Sequence, residues 1–398
     1  MASEKSTSPQ LMVIWQSLVV KSYRSFFYRL SELSKMKLGL VTPEEFSELG
    51  FQKILCEPFD HRPGVFPFRL KSKVYHTQIV LFGSLMKAFR SFFDKTSPKV
   101  IFCLAEPYSV TAFAVWLKAR ILYGKRFHFI LFSLQNIKKT FPLPLRWIQN
   151  LMFEKVDAVA ILGPEQEEVI RDQGYRGKTF PFPLWFDTEK FVPLTYQDAE
   201  KQLGSMLPAN RHKKKIRVGY VGAVVEQKGI LDILNCLEKN QDRWNSQMEF
   251  YFVGKGDLDK EVRSRSDQCG KDTPWIFPLG FVPHKDMGAF FSYLDVLLVP
   301  SRTKDHWKEQ FGRVIVEAQA CGCLVIGSDS GHIPHLLDQR FCFPEGDVAK
   351  LTDCIDLAIR EVGENSLGVK KHNIGLAAPY SDQSLAKDFQ NQLNEILG

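Results

Sequence analysis

Glu309 and Glu317 stand eight positions apart in the stretch EQFGRVIVEAQACGC, residues 309–323. A carboxylate only accepts hydrogen bonds and can take two hydroxyls, so each acid suits a pair of adjacent sugar hydroxyls. Gly312 is expected to open a helix, with Glu309 in the loop before it and Glu317 in its second turn. The Phe311–Gly312 amides would then lie between the two acids, where unpaired N–H groups can receive a diphosphate. That spacing spans a nucleotide sugar, ribose at Glu317 and hexose at Glu309. Upstream, GYVGAVVEQKG (219–229) reads as a strand, a glycine turn at Gly222 and a lysine, Lys228, able to add a point charge to the diphosphate. VGKGD (253–257) closes a further strand. Each glycine turn alone is ordinary architecture; three at matching strand ends carry weight together. The plainer alternative is two acids on the solvated face of an amphipathic helix. Asp257 and Asp259 form a D-x-D, read as a helix cap. His284, His306, His332 and His335 lack metal-ligand spacing, so no metal and no cofactor is expected. His306 and Trp307, beside Glu309, are candidates to line the sugar pocket.

These residues need a scaffold. A chain of 398 residues suits two domains. In the first half, apolar runs read as strands: LMVIWQSLVV, KLGLVT, KVIFCLAE, RFHFILFSLQN and DAVAILG. Helices are expected between them over Ser22–Met36, Val74–Phe93, Ser109–Tyr123, Leu143–Phe153 and Glu165–Gln173. Pro193 to Lys215 is polar, holds two prolines and ends in a basic run; it reads as a linker. The second half restarts with IRVGYVG, followed by MEFYFVG, IFPLGFV, VLLVPS and CLVIGSD. Strand–helix alternation predicts an α/β fold with parallel sheets, two Rossmann-like halves in tandem that bind ligand in a central cleft at the carboxyl ends of their strands. The expected domains are 1–195 for the acceptor and 213–378 for the donor, with 196–212 as linker. The ten-residue run after the polar start is too short to span a bilayer and reads as a buried strand, not a signal peptide.

The motifs in series resemble the family-4 glycosyltransferases of GT-B fold. Their hallmark Glu-x7-Glu is here Glu309 to Glu317, followed by AQACGCLVIGSDSGHIPHLL. VGYVG…KG, FYFVGKGDL, LGFVPHKDM and DVLLVPSRTKDHWKEQFG come in the family's order and spacing. AEPYS, ILFSLQN, DAVAILG and PLWFDTEKFVP match its first half more loosely. The resemblance covers roughly residues 98–385 and implies a retaining, metal-independent transferase using a nucleotide-diphosphate sugar of UDP or GDP type. By that pattern Glu309 and Lys228 are catalytic, on the donor sugar and the diphosphate. Glu317 takes the ribose, Phe281 and Val282 meet the base through their backbone, and Phe311, Gly312, Gly222 and Arg313 complete the donor site. The last helix, 379–398, packs back on the first domain. Three departures stand out. Ala223 occupies the place of a common arginine; Arg302 and Arg313 lie in loops that could replace it. Gln135 stands for a histidine. WQSLVVKSYR replaces the glycine-rich loop, so Ser22, Tyr23 and Arg24, with Glu106 and Gln135, become the acceptor-side candidates. These gaps keep a rival reading open, a non-catalytic relative binding a nucleotide or partner; a sugar-nucleotide epimerase is another.

Charge adds a partner class. The net charge is +7, and residues 61–150 hold 15 Lys/Arg against Asp94 and Glu106. KKTFPLPLRWIQNLMF (138–153) mixes cations with Phe, Trp and Leu, a composition suited to an anionic membrane surface or to a core with a cationic rim. The expected acceptor is a lipid-linked or cell-envelope glycan. No nucleic-acid module accompanies the charge. Eight scattered cysteines without C-x-x-C read as reduced and intracellular. The expected location is cytoplasmic, peripheral on the inner face of the membrane.

Overall fold

A computed structural model describes residues 8–46, 54–76, 78–212, 214–269 and 274–398. The chain forms two compact units, Met1–Pro183 with Asp382–Gly398, and Leu184–Ser381.

In the first unit, strand β1 (Gln10–Ile14) is followed by α1 (Ser25–Ser34), β2 (Lys37–Pro43), a short pair β3 (Glu45–Phe46) and β4 (Ile54–Leu55), then β5 (Val65–Leu70). A hairpin of β6 (Ser72–His76) and β7 (Ile79–Phe82) leads to α2 (Leu85–Phe92). The chain continues as β8 (Lys99–Cys103), α3 (Val110–Tyr123), β9 (His128–Ser133), α4 (Leu143–Lys155), β10 (Ala158–Ile161), α5 (Pro164–Asp172) and β11 (Lys178–Pro181). Seven strands pair in the order β11-β10-β9-β8-β1-β2-β5, all parallel. Strands buried on both faces read as continuous apolar runs, as VIFC and FILF do here.

Two expectations change. The first strand stops at Ile14, not at Val20: the Trp15 N–H makes a last bond to the Val41 carbonyl and the chain then winds into short turns over Gln16–Val19 and Lys21–Tyr23. The helix expected over Val74–Phe93 is a hairpin plus a shorter helix. Its first half is rich in β-branched residues, and Gly83, whose N–H donates to the Lys71 carbonyl, turns the chain before α2.

The second unit begins with α6 (Tyr196–Leu203) and alternates β12 (Ile216–Val221), α7 (Ile230–Lys239), α8 (Gln241–Trp244), β13 (Met248–Val253), α9 (Asp259–Cys269), β14 (Ile276–Gly280), α10 (Met287–Tyr293), β15 (Val296–Val299), α11 (Arg313–Ala320), β16 (Leu324–Ser328), β17 (Cys342–Phe343) and α12 (Val348–Ala377), which is broken at Asn365. Its sheet runs β14-β13-β12-β15-β16-β17, again all parallel. Residues 196–212, expected as a linker, are part of this unit. Ala199 and Leu203 are buried, Tyr196 stacks on Tyr293 with ring centres 5.2 Å apart, and the Arg217 guanidinium lies 4.1 Å over the Tyr196 ring. Those contacts make the segment a packed element despite its polar composition.

Helix α13 (Asp382–Leu397) belongs to the first unit. Its Phe389 stacks on Phe102 of β8 at 5.3 Å and meets Phe26 of α1 at 5.7 Å and Phe182 at 5.2 Å. Such pairs add about 0.5–1.5 kcal/mol each beyond area burial, which accounts for part of the chain's phenylalanine richness. No helix of the described residues is long and apolar enough to cross a membrane.

Candidate active site

In each sheet the strand order reverses beside the first strand of the unit, and open α/β sheets take ligands at that crevice, beyond the carboxyl ends. In the second unit the crevice lies after β12 and β15. Gly222 ends β12 with φ +154, and Gly254 ends β13 with φ +139. A Cβ on Gly254 would sit 1.7 Å from the Gly222 carbonyl oxygen, so two turns pack backbone on backbone. The Tyr220 hydroxyl donates to the Ala223 carbonyl at 2.7 Å and fixes the same turn.

Lys228 closes a single turn, Glu226–Lys228, ahead of Gly229. Gly229 has φ +70, and a Cβ there would meet the Pro300 carbonyl at 1.8 Å. That turn is strapped to the loop after β15. Lys304 Nζ lies 2.6 Å from Glu226 Oε1, and the Arg302 N–H donates to the Gln227 carbonyl at 2.8 Å. The strap brings Lys228 Nζ within 2.6 Å of Glu309 Oε2 and 4.6 Å above the Trp307 ring. Ser301 Oγ donates to the same carboxylate oxygen at 3.1 Å. Glu309 is also held through its backbone. Its carbonyl accepts from His332 N–H at 3.3 Å, and a Cβ on Gly331 would lie 1.9 Å from that carbonyl.

Gly312 starts α11 with φ +82, leaving Glu317 in the second turn, nearly buried, where Arg313 Nε donates to it at 2.8 Å. Phe311 is buried, stacked on His332 with centres 5.3 Å apart. Burial, then the neighbouring His335, lowers His332 to about 4, and its Nδ1 has no hydrogen-bond partner among the described residues. After β14, Gly280 turns at φ +72, Phe281 is 70 % exposed and Val282 is buried. His284 accepts from Lys190; burial, then Lys190 and Arg313, lower it to about 4, so it is neutral at pH 7.

Arg302, a candidate to replace the arginine absent at Ala223, is engaged by a carboxylate. Its fork grips the buried Asp232, with Nε 2.6 Å from Oδ2. Arg313 is paired with Glu317.

In the first unit, Glu106 follows β8 and is buried. It accepts from Ser133 Oγ and from the Leu134 N–H, both at 2.8 Å. Burial pushes its carboxyl up to about 7 despite those bonds. Gln135, also buried, donates to the Ile137 carbonyl at 2.8 Å. Tyr108 and Phe141 stack nearby in sequence with centres 4.0 Å apart. Arg24 is corrected from an acceptor candidate to a structural residue. It is fully buried, and its guanidinium donates to the carbonyls of Leu18 and Pro58 at 2.7 Å, Glu57 at 2.9 Å and Val19 at 3.0 Å. Tyr23 packs edge-on against Trp15, and the Ser22 hydroxyl is buried without a partner among the described residues. Reading the sequence missed Ser301, Gly331 and the packing of His332 on Phe311 and against the Glu309 carbonyl. Serine after a strand and glycine before a histidine carry no local signal; only the fold brings them to Glu309.

Residues 207–366 match the family described as Glycosyl transferases group 1. A 2-deoxystreptamine N-acetyl-D-glucosaminyltransferase of Streptomyces fradiae is 29% identical over 199 residues, 48% of this chain and 42% of that protein. The GPI3 subunit of phosphatidylinositol N-acetylglucosaminyltransferase of Saccharomyces cerevisiae is 24% identical over 50% of this chain and 42% of its own length. The matches thus span less than half of those relatives. Among solved structures, sucrose-phosphate synthase of Thermosynechococcus elongatus superposes with a TM-score of 0.69 at 17% identity, covering 98% of this chain and 99% of that one. Anabaena HepE in complex with UDP-glucose gives 0.68 at 15% identity, covering 97% and 99%. At such identities the superpositions show the fold, which is GT-B. Residues 207–366 thus carry a glycosyl transferase group 1 region within a chain of GT-B fold.

Proposed function

We propose that this protein is a retaining glycosyltransferase that moves a hexose, N-acetylglucosamine foremost, from a uridine diphosphate sugar to a lipid-linked or envelope glycan. The observation that carries the reading is the Lys228–Glu309 pair beside the glycine-opened helix that bears Glu317. The N-acetylglucosaminyl relatives and the UDP-glucose complex support the choice of donor. In this reading Glu317 takes the ribose hydroxyls, the turn around Phe281 and Val282 receives the base, and Glu309 takes hydroxyls of the sugar. Lys228 leaves Glu309 in part to meet the diphosphate, whose charge grows as the bond from the anomeric carbon to phosphate oxygen breaks. A cation and N–H groups fixed in advance stabilise that charge most in the transition state. The acceptor hydroxyl attacks on the face the phosphate leaves, and its proton passes to the departing phosphate oxygen. Glu106, Ser133, Gln135, Ser22 and Tyr23 are the acceptor-side candidates of the first unit.

Exposed Leu143 and Trp147 on α4 and Ile121 on α3, with Lys138, Lys139 and Arg146 close in sequence, support docking on an anionic membrane at its inner face. Ala223 together with the captured Arg302 favours a second reading, a weakly active or non-catalytic nucleotide-binding relative. Donor turnover followed by proton NMR separates the two. Release of UDP with the sugar first appearing in its original anomeric configuration is the expected result. Release with inverted configuration overturns retention; UDP binding without any release, with membrane extract as acceptor source, favours the second reading.

A further inference from the structure

At the opposite, amino-terminal ends of β8 and β9, the first unit holds a cavity of about 650 Å³. That size is typical of a small-molecule site. It is lined by the ends of α2 and α3 and the segments leading into the two strands. Five cations line it: Arg90, Lys95, Lys99, Lys125 and Arg126. The carboxyl ends of two helices attract cations by their dipoles, and that alone could account for basic residues here. Yet the side chains of Arg90, Lys95, Lys125 and Arg126 make no hydrogen bond or ion pair among the described residues, with those helix carbonyls or any other group. Asp94, the acid in the lining, spends its oxygens on the N–H groups of Thr96 and Ser97 at 2.9 and 2.7 Å and on the Ser97 hydroxyl at 2.9 Å. His128 pairs with Asp157 at 3.4 Å.

Two further observations point to a ligand. Lys99 is only 9% exposed and has no carboxylate partner among the described residues; its ammonium hydrogen-bonds the Ser97 carbonyl at 3.1 Å and lies 5.9 Å from the Tyr123 ring. Buried lysines are rarely left without an anion. The Tyr123 hydroxyl is buried with no hydrogen-bond partner among the described residues. Phe93 and Phe127 supply flat apolar wall.

We propose that this cavity is a second ligand site, taking a phosphomonoester carried on a flat or apolar body. Lys99, Arg90 and Arg126 bind the dianion, and the aromatic walls take the body. The site is independent of the donor chemistry in the second unit. Phenyl phosphate, titrated calorimetrically into the full chain, tests the soluble source; co-sedimentation with phosphatidylcholine vesicles, with and without phosphatidic acid, tests the lipid source. The double variant Lys125→Ala, Arg126→Ala changes exposed residues and should keep the wild-type melting curve; Lys99→Met probes the buried ammonium. Binding of phenyl phosphate, weakened at least about tenfold in both variants, supports a soluble phosphomonoester ligand. Phosphatidic-acid-dependent sedimentation lost in both variants, without phenyl phosphate binding, supports the headgroup. The proposal is overturned if neither probe binds, or if either binds equally well to the double variant.

Discussion

Replacing Lys228 by methionine separates its observed role, partner of Glu309, from its proposed one, cation for the diphosphate. At 2.6 Å the gross Coulomb attraction of the pair is about 6 kcal/mol at an effective dielectric near 20. Desolvation and side-chain ordering offset most of that. With the side chains 27% and 12% exposed, the pair lies between a surface bridge and a buried one, so a net coupling of about 1–2 kcal/mol is expected. Lys228→Met should therefore lower stability by about that amount in urea denaturation, because Glu309 loses its ammonium partner. Adding Glu309→Gln should return most of the loss, because the carboxylate that lost its ammonium is gone as well. Turnover should behave differently. Losing one preorganised group at the leaving oxygen costs about 10²–10³ in kcat, and the double variant should not recover it, since both variants lack the cation. Steady-state release of UDP from a UDP-sugar is the assay. A Lys228→Met enzyme within about threefold of wild type, or a double variant restored to wild-type turnover, would refute the leaving-group role.

Further outcomes are specific to single residues. Glu317→Gln should weaken UDP binding by about tenfold or more in calorimetry if the proposed ribose contact is right, because the carboxylate charge held beside Arg313 is lost; unchanged affinity would place the ribose elsewhere. Gly331→Ala puts a Cβ 1.9 Å from the Glu309 carbonyl at φ +57, so it should cost about 1–3 kcal/mol of stability and lower kcat with it; a neutral effect on both would mean the loop yields freely. Arg24→Met removes a donor from four carbonyls and should destabilise by about 3 kcal/mol or more while leaving UDP affinity unaltered. Glu106 has its folded value raised from 4.5 to about 7, so the folded chain keeps a proton that the unfolded chain releases. Its favourable contribution is fully present below about 4.5 and is lost as pH rises through 7. Glu106→Gln should thus be more stable than wild type by up to about 3 kcal/mol at pH 8, with the gap closing towards pH 4.5; a pH-independent difference would remove the burial argument.

The second unit was readable because its signals are local. Its five β-strands from Ile216 to Ser328 are mostly apolar runs, and positive-φ glycines follow or end β12, β13 and β14. Gly312 and the eight-residue step to Glu317 depend only on helix geometry. The first unit hid more. SKVYH and IVLF carry the same residues as an amphipathic helix would, and only Gly83 betrays the hairpin. Arg24 resembled an acceptor residue because a lone arginine after a strand gives no hint of four carbonyls from two distant segments. Polar α6 looked like a linker because its buried face is only Ala199 and Leu203, and the Tyr196–Tyr293 stack that anchors it joins residues 97 positions apart. The pairing of Lys228 with Glu309 likewise required the strap between Glu226 and Lys304, which spacing alone does not reveal.

The most direct measurement is calorimetric titration of the purified chain with UDP, GDP, ADP and TDP, repeated on Glu317→Ala. Micromolar binding of UDP, selective over the other three and lost in the variant, is the predicted result. Failure of every nucleotide to bind, or UDP binding untouched by Glu317→Ala, would contradict the donor site built around Glu309, Glu317 and Lys228.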